Sequence, residues 1–318
     1  INGKQIEYKF EDDQADSEKS VNAYNTLKDW GMQALIGTTT STPCTAVVEE
    51  THSDNMFQLT PSATAVDSIQ YDNAFRMCFS DPNQGSASAD YIAENNLATK
   101  VAIIYNSSDT YSSGIYQTFA TEAKAKGLDV VAAEAFTADN KTDFSVQIQK
   151  AKDAGAELVF LPIYYQEASL ILAQANKAGF TPKWFGCDGM DGILDLDGFD
   201  ASLAEDLMFL TPFTANATDE ATQKFVADYK EAFGDTPIQF AADAYDCVYV
   251  IKAAAEKEDV TPDKSVSDIC DALKKGMTEI TYDGLTGKSI TWSEDGEPTV
   301  VVVKSGEYQV LQAEDAAE

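Results

Sequence analysis

The sequence predicts an α/β protein built from two doubly wound parallel-sheet lobes joined by a hinge, with a ligand cleft between them. Three observations lead there. Apolar, strand-like runs alternate with amphipathic stretches of about ten to seventeen residues, the spacing of right-handed βαβ units. The same punctuation occurs in both halves: KDWG feeds MQALIG at 28–37 and KDAG feeds AELVFLPI at 152–163, each a helix with a glycine stop before an apolar strand. At 318 residues the chain also exceeds what one hydrophobic core usually organises.

In chain order, IEYKF (6–10) alternates apolar and polar side chains and is expected to be a strand. SVNAYNTLKDWG (20–31) has helical periodicity and a glycine stop, MQALIG (32–37) is an apolar strand, PCTAVVEETHSD (43–54) a helix and NMFQLT (55–60) a strand. FRMCFS (75–80) is expected as a strand and GSASADYIAENN (85–96) as a helix. KVAIIYN (100–106), rich in β-branched residues, is a strand, YSSGIYQTFATEAKAKG (111–127) a helix stopped by Gly127, and LDVVAAEAF (128–136) a strand. TDFSVQIQKAKDAG (142–155), AELVFLPI (156–163), YQEASLILAQANKAG (165–179) and PKWFGCD (182–188) continue the alternation.

Composition narrows the function. Twenty-two basic against fifty-three acidic residues give a formal charge of −31, which argues against nucleic acid because no basic stripe is available to displace counterions from phosphates. Hydrophobic residues make up 44% of the chain, enough for buried cores, yet no apolar run approaches the length of a membrane span. The five cysteines, Cys44, Cys78, Cys187, Cys247 and Cys270, are scattered without CxxC spacing. Cys44 with Cys78 is the one pair considered for a bridge, while Cys247 and Cys270 fall in helical patterns as small hydrophobes.

Catalytic and metal chemistry find little support. His52 is the only histidine and lies in the polar turn THSDN, so neither a catalytic triad nor a multi-histidine metal site is expected. GxGxxG after a strand, GxxxxGK[ST] and GxSxG are all absent. DGMDGILDLDGFD (188–200) is rich in aspartate but offers no register that fits an EF-hand loop. Cys187 has nothing nearby in sequence to lower its pKa. No cofactor and no metal are expected.

Other residues fall just beyond the carboxyl ends of predicted parallel strands, where open α/β sheets bind ligands. Ser41 follows MQALIG, Thr64 follows NMFQLT, Tyr111 follows KVAIIYN, Tyr164 follows AELVFLPI, and Asp188 ends PKWFGCD. Pro43 suits the first turn of a helix, which makes Thr42 the expected cap and sets Ser41 just in front of it. Ser62, Ala63 and Thr64 repeat that arrangement after Pro61. Two such turns supply hydroxyls and backbone N–H groups to a carboxylate. Asp188, flanked by glycines in GCDGMDG, suits an ammonium group. Tyr111, Tyr164 and Tyr165 offer flat apolar walls with a polar tip.

IGTTTSTPCTAVVEETHSDNMFQLTPSAT (36–64), IIYNSSDTYSSG (103–114), TDFSVQIQKAKDAGAELVFLPIYYQEASLILAQANKAGF (142–180) and FGCDG (185–189) resemble the branched-chain amino acid binding proteins of ABC transporters, which have the type I periplasmic-binding fold. The resemblance covers nearly the whole chain. It implies that Ser41 and Thr64 hold an α-carboxylate through hydroxyl and backbone N–H, and that the Ser62 carbonyl accepts from the ligand ammonium. It further implies that Asp188 completes the ammonium site where the family commonly has glutamate, and that Tyr111 and Tyr164 close over the ligand from the second lobe. Thr39 and Thr40 occupy positions often apolar in the family and imply a more polar wall, and Phe240 or Asp243 in IQFAADAYDC (238–247) is the later contribution to the pocket.

The lobes are expected to comprise 1–82 with 212–297, and 83–211 with 298–318. Relatives begin with a strand, a glycine-containing loop and a helix ahead of the segment that opens this sequence. An incomplete, processed or complemented chain whose first sheet has an exposed apolar edge is therefore expected. The implied function is an extracytoplasmic solute-binding protein, periplasmic or a surface lipoprotein. It would be monomeric, would capture a small aliphatic or branched-chain α-amino acid by lobe closure, and would deliver it to a membrane permease. A sensory ectodomain with the same fold is the competing class, and an enzyme the least supported.

Overall fold

The computed structural model describes residues 1–298 and the backbone of two further strands, Val301–Lys304 and Glu307–Val310. Helix α1 (Ser17–Trp30) starts where the Asp16 side chain accepts from Lys19 N–H and ends at Gly31 in the left-handed region, φ 100°. Strand β1 (Leu35–Ile36) leads to α2 (Ser41–Ser53), β2 (Gln58–Thr60) and β3 (Ala74–Arg76). Next come α3 (Asp81–Glu94), β4 (Lys100–Asn106), α4 (Thr110–Ala125), β5 (Asp129–Phe136) and α5 (Ser145–Asp153). Then β6 (Leu158–Leu161), α6 (Tyr165–Lys177), β7 (Lys183–Gly186), β8 (Met208–Phe209), α7 (Glu220–Phe233), α8 (Gln239–Lys257) and α9 (Val266–Glu279) follow, before the last two strands, β9 and β10. Side-chain N-caps on Ser80, Asp109, Asp219 and Ser265 set the starts of α3, α4, α7 and α9.

The chain divides into two compact units, Ile1–Phe79 with the stretch from Pro212 onward, and Ser80–Thr211. Helix α3 and its cap Ser80 thus belong wholly to the second unit. The expected assignment of 298–318 to the second lobe concerns residues that, beyond Pro298 and the backbone of the two last strands, lie outside those described.

In the second unit five parallel strands take the order β5-β4-β6-β7-β8. The near-continuous apolar run of β4 suits its interior place, since successive side chains point to opposite faces and both are covered. Val101 and Ile103 pack with Ile115 and Phe119 of α4, whereas Ala102 and Ile104 pack with Ile148 of α5 and Ile171 of α6. In the first unit β1-β2-β3 form a short parallel sheet. Phe57, Leu59 and Phe75 meet Val250 of α8 and Leu273 of α9, while Leu35 and Met56 meet Tyr24 of α1 and Val47 of α2.

Several local expectations are corrected. IEYKF (6–10) joins no sheet among the described residues; Tyr8 and Phe10 are 76% and 83% exposed, because alternation marks a strand only where a neighbour pairs with it. The paired part of MQALIG is Leu35–Ile36, and that of FRMCFS shifts to Ala74–Arg76. The cap of α2 is Thr40 rather than Thr42, so Ser41 is the first helical residue and Pro43 the third. Ser62–Thr64 do not open a helix; a short 3₁₀ turn begins only at Val66. All five cysteines are free and buried, so Cys44 and Cys78 form no bridge.

Candidate ligand-binding site

In the first unit the loop from β1 to α2 carries Ser41, and the loop after β2 carries Ser62 and Thr64. The two loops are stitched together. Ala65 N–H donates to Ser41 Oγ at 3.1 Å, Ser62 Oγ donates to the Thr39 carbonyl at 2.7 Å, and Thr60 Oγ1 donates to the Thr38 carbonyl at 2.7 Å. Ser41 is buried at the start of α2, where helix geometry leaves backbone N–H groups without intrahelical acceptors. Its hydroxyl accepts from Ala65, which leaves its own proton to donate elsewhere. Thr64 is fully buried, and the hydroxyls of Thr40 and Thr64 find no partner among the described residues. Buried hydroxyls without partners are rare, and a polar ligand would satisfy them. Ser62 differs from the other two, because its hydroxyl is spent on joining the loops.

In the second unit the candidate residues lie at a topological switch point. Strands β4 and β6 are adjacent and their helices α4 and α6 cover opposite faces; Tyr111 is the second residue of α4 and Tyr164 caps α6. Their rings stack 4.7 Å apart with planes 17° from parallel. Tyr111 Oη donates to Asp188 Oδ1 at 2.6 Å, and Gly189 N–H donates to Tyr111 Oη at 3.0 Å and to Asp188 Oδ1 at 2.9 Å. Glycine is required at 189, where a Cβ would sit 2.8 Å from Tyr111 Oη and 3.0 Å from the Ile163 carbonyl. Asp188 is buried, and burial raises its carboxyl to about 6 against the opposing hydrogen bonds from Tyr111, Gln84 and Gly189. Burial also pushes the Tyr111 phenol well above its ordinary value, with the Asp188 charge adding to the effect.

Gln84, absent from the expected site, is buried on α3 and accepts from Asp188 N–H through Oε1 at 3.1 Å. It lies 104 residues from Asp188 in sequence, and no local pattern in DPNQGS signals that approach. Among the other wall positions, Thr39 is exposed and Thr40 half-buried, while Phe240 and Asp243 are half-buried and buried near the start of α8.

Residues weighed for catalysis find other uses. His52 stacks on Tyr71 with ring centroids 4.0 Å apart at the end of α2. Cys187 is fully buried, and burial together with the charge of Asp188 pushes its thiol well above the ordinary range, the opposite of what a nucleophile needs. No group of three or more His, Cys, Asp or Glu able to hold a metal occurs among the described residues.

Parallel α/β units that carry polar and aromatic side chains at their strand ends are of the class of fold that binds small solutes there. The chain matches the family model for periplasmic binding proteins over residues 1–315 and belongs to that family. It is 28% identical to a Leu/Ile/Val-binding protein homolog from Brucella melitensis, covering 93% of this chain and 78% of that one. It is 27% identical to the leucine-, isoleucine-, valine-, threonine- and alanine-binding protein of Pseudomonas aeruginosa, covering 88% and 74% respectively. Among solved structures, the leucine-binding protein LivK of Thermotoga maritima aligns with a TM-score of 0.82 at 25% identity over 99% of this chain and 90% of that one. The Streptococcus pneumoniae branched-chain amino acid transporter substrate-binding protein LivJ, in complex with isoleucine, aligns with a TM-score of 0.83 at 26% identity over 98% and 88%. The fold is the type I periplasmic-binding fold. Among the described residues no helix is long and apolar enough to cross a membrane.

Proposed function

We propose that this chain is the extracytoplasmic solute-binding protein of an ABC transporter, capturing a small aliphatic or branched-chain α-amino acid and handing it to a membrane permease. The observation that carries this reading is the buried Asp188 carboxyl, held on Tyr111 and Gly189 at the switch point of the second unit's sheet. A buried acid with fixed geometry is stabilised as the anion by an ammonium group, most strongly once water is excluded. The opposite polarity is supplied by the first unit, where the Ser41 hydroxyl and the unpartnered Thr64 hydroxyl suit a carboxylate. One α-amino acid satisfies both sets, so its binding favours the state in which both units hold it. The Tyr111–Tyr164 stack gives the aliphatic side chain a flat wall, and Thr39 and Thr40 a more polar one. The protein acts as a monomer in this scheme.

The test is a thermal-shift and calorimetry panel with leucine, isoleucine, valine, threonine and alanine. A bound amino acid at one hundred times its dissociation constant adds about 2.7 kcal/mol of stability. No shift with any of them overturns the reading. Asp188→Ala is expected to weaken the binding by roughly 2–5 kcal/mol, the cost of leaving a desolvated ammonium unpaired. Undiminished affinity in that variant removes Asp188 from the site.

A further inference from the structure

Arg76 is the only arginine in the chain, and none of its side chain is exposed. A guanidinium that deep needs its charge and most of its donors answered, and here Nε alone finds no partner among the described residues. Nη1 donates to the carbonyls of Thr64 at 2.7 Å and Ala65 at 3.0 Å, and Nη2 to that of Val66 at 3.3 Å. Nη2 also lies 3.1 Å from the Glu297 carboxylate. The main chain of Arg76 is clamped by the same later segment: its N–H donates to the Gly296 carbonyl at 3.2 Å, and Trp292 Nε1 donates to its carbonyl at 2.8 Å. The segment lies so close to β3 that a Cβ at Gly296, where φ is +81°, would fall 2.2 Å from the Ala74 carbonyl.

Arg76 therefore ties residues 292–297 to three consecutive carbonyls that begin at Thr64. The Thr64 carbonyl and the Ala65 N–H are two ends of one peptide group, and that N–H donates to Ser41 Oγ. Hydrogen bonds in series polarise one another, so a cation on the carbonyl strengthens the N–H donor. The hydroxyl that accepts from it becomes in turn a better donor through its own proton.

We infer that Arg76 is a positioning residue for the carboxylate half-site, acting through the Thr64–Ala65 peptide on Ser41 and keeping a positive charge one layer behind the groups that touch the ligand. This rests on the amino-acid reading above. Glu297 separates the inference from a purely mechanical brace. If the ion pair only braces the loop, losing it loosens the loop and weakens binding. If the Arg76 charge favours the carboxylate, Glu297 partly offsets that charge, and neutralising it tightens binding.

Isothermal titration of L-leucine, or of whichever amino acid the panel shows to bind, into the parent chain, Arg76→Lys, Glu297→Gln and Ser41→Ala tests this. Arg76→Lys, which keeps the charge but loses the fork, is expected to weaken binding tenfold or more. Glu297→Gln is expected to tighten it about two- to fivefold, and that gain should vanish in the Ser41→Ala background. Weakened or unchanged binding in Glu297→Gln, or a gain that persists without the Ser41 hydroxyl, overturns the inference whether or not Arg76→Lys folds. Failure of the parent chain to bind any amino acid overturns the amino-acid reading instead, and this inference with it.

Discussion

Asp188 carries opposite consequences for stability and for binding. Burial raises its carboxyl from 3.8 to about 6, so the folded chain holds the proton more tightly than the open chain does. Its contribution to stability is intact below pH 3.8 and is lost as pH rises through about 6, because above that the fold must bury a carboxylate. Asp188→Asn removes that cost. The variant is expected to exceed the parent by up to about 3 kcal/mol in ligand-free stability at pH 8, with the gap closing toward pH 4. Urea unfolding at the two pH values checks this, and a gap that does not narrow contradicts it. Amino-acid affinity should run the other way, falling by up to about tenfold per pH unit below about 6 as ligand and proton compete for the same oxygen. Titration calorimetry at pH 5 and 7.5 reads that slope. That Ser41, Thr64, Tyr111, Tyr164 and Asp188 lie beyond strand ends was legible because position after an apolar run is a local property of sequence. The contacts of Gln84 and Arg76 were not, because they are made only once separate segments have packed.

Helix α3 shows what local pattern conveys about an element and what it omits. Its helical character was readable in GSASADYIAENN, but the helix begins at Asp81, where Ser80 caps it and Pro82 fits the first turn. Gly85 is therefore interior, and its reason is packing. A Cβ there would lie 2.8 Å from both the Ile115 carbonyl and the Phe119 N of α4, backbone atoms that cannot swing aside. Gly85→Ala is expected to cost about 1–3 kcal/mol by forcing α3 and α4 apart, despite alanine's better helix propensity. An unchanged urea midpoint would mean that the approach relaxes freely. Strands were harder to bound than helices. An apolar run reports burial, whereas a strand ends where pairing ends, and so MQALIG shrank to Leu35–Ile36 and IEYKF joined no sheet among the described residues.

At the scale of the whole molecule, the alternating architecture was legible because βαβ spacing and glycine stops recur across the chain, and the solute-binding family because segments such as 36–64 and 142–180 resemble its members, whereas the break between units at Phe79 and Ser80 depends on contacts that no motif marks. Net charge is also a whole-chain quantity, and it yields the last prediction. A formal charge of −31 makes the folded state repel itself, since folding brings the acidic side chains closer together than they lie in the open chain. Raising NaCl from about 10 mM to about 1 M shortens the screening length from about 30 Å to about 3 Å, and stability should rise by roughly 1 kcal/mol, a Tm increase of about 2–4 °C. A zwitterionic amino acid carries no net charge, so the long-range field neither attracts nor repels it. In the proposed scheme its affinity rests on short, buried contacts such as that with Asp188, which salt screens poorly, and should change less than about threefold over the same range. Circular dichroism melts and calorimetry in one salt series separate the two effects. A Tm that falls with salt would show that surface ion pairs outweigh self-repulsion, and an affinity that tracks the Tm would show that the ligand meets an exposed, solvent-screened site instead of a buried one.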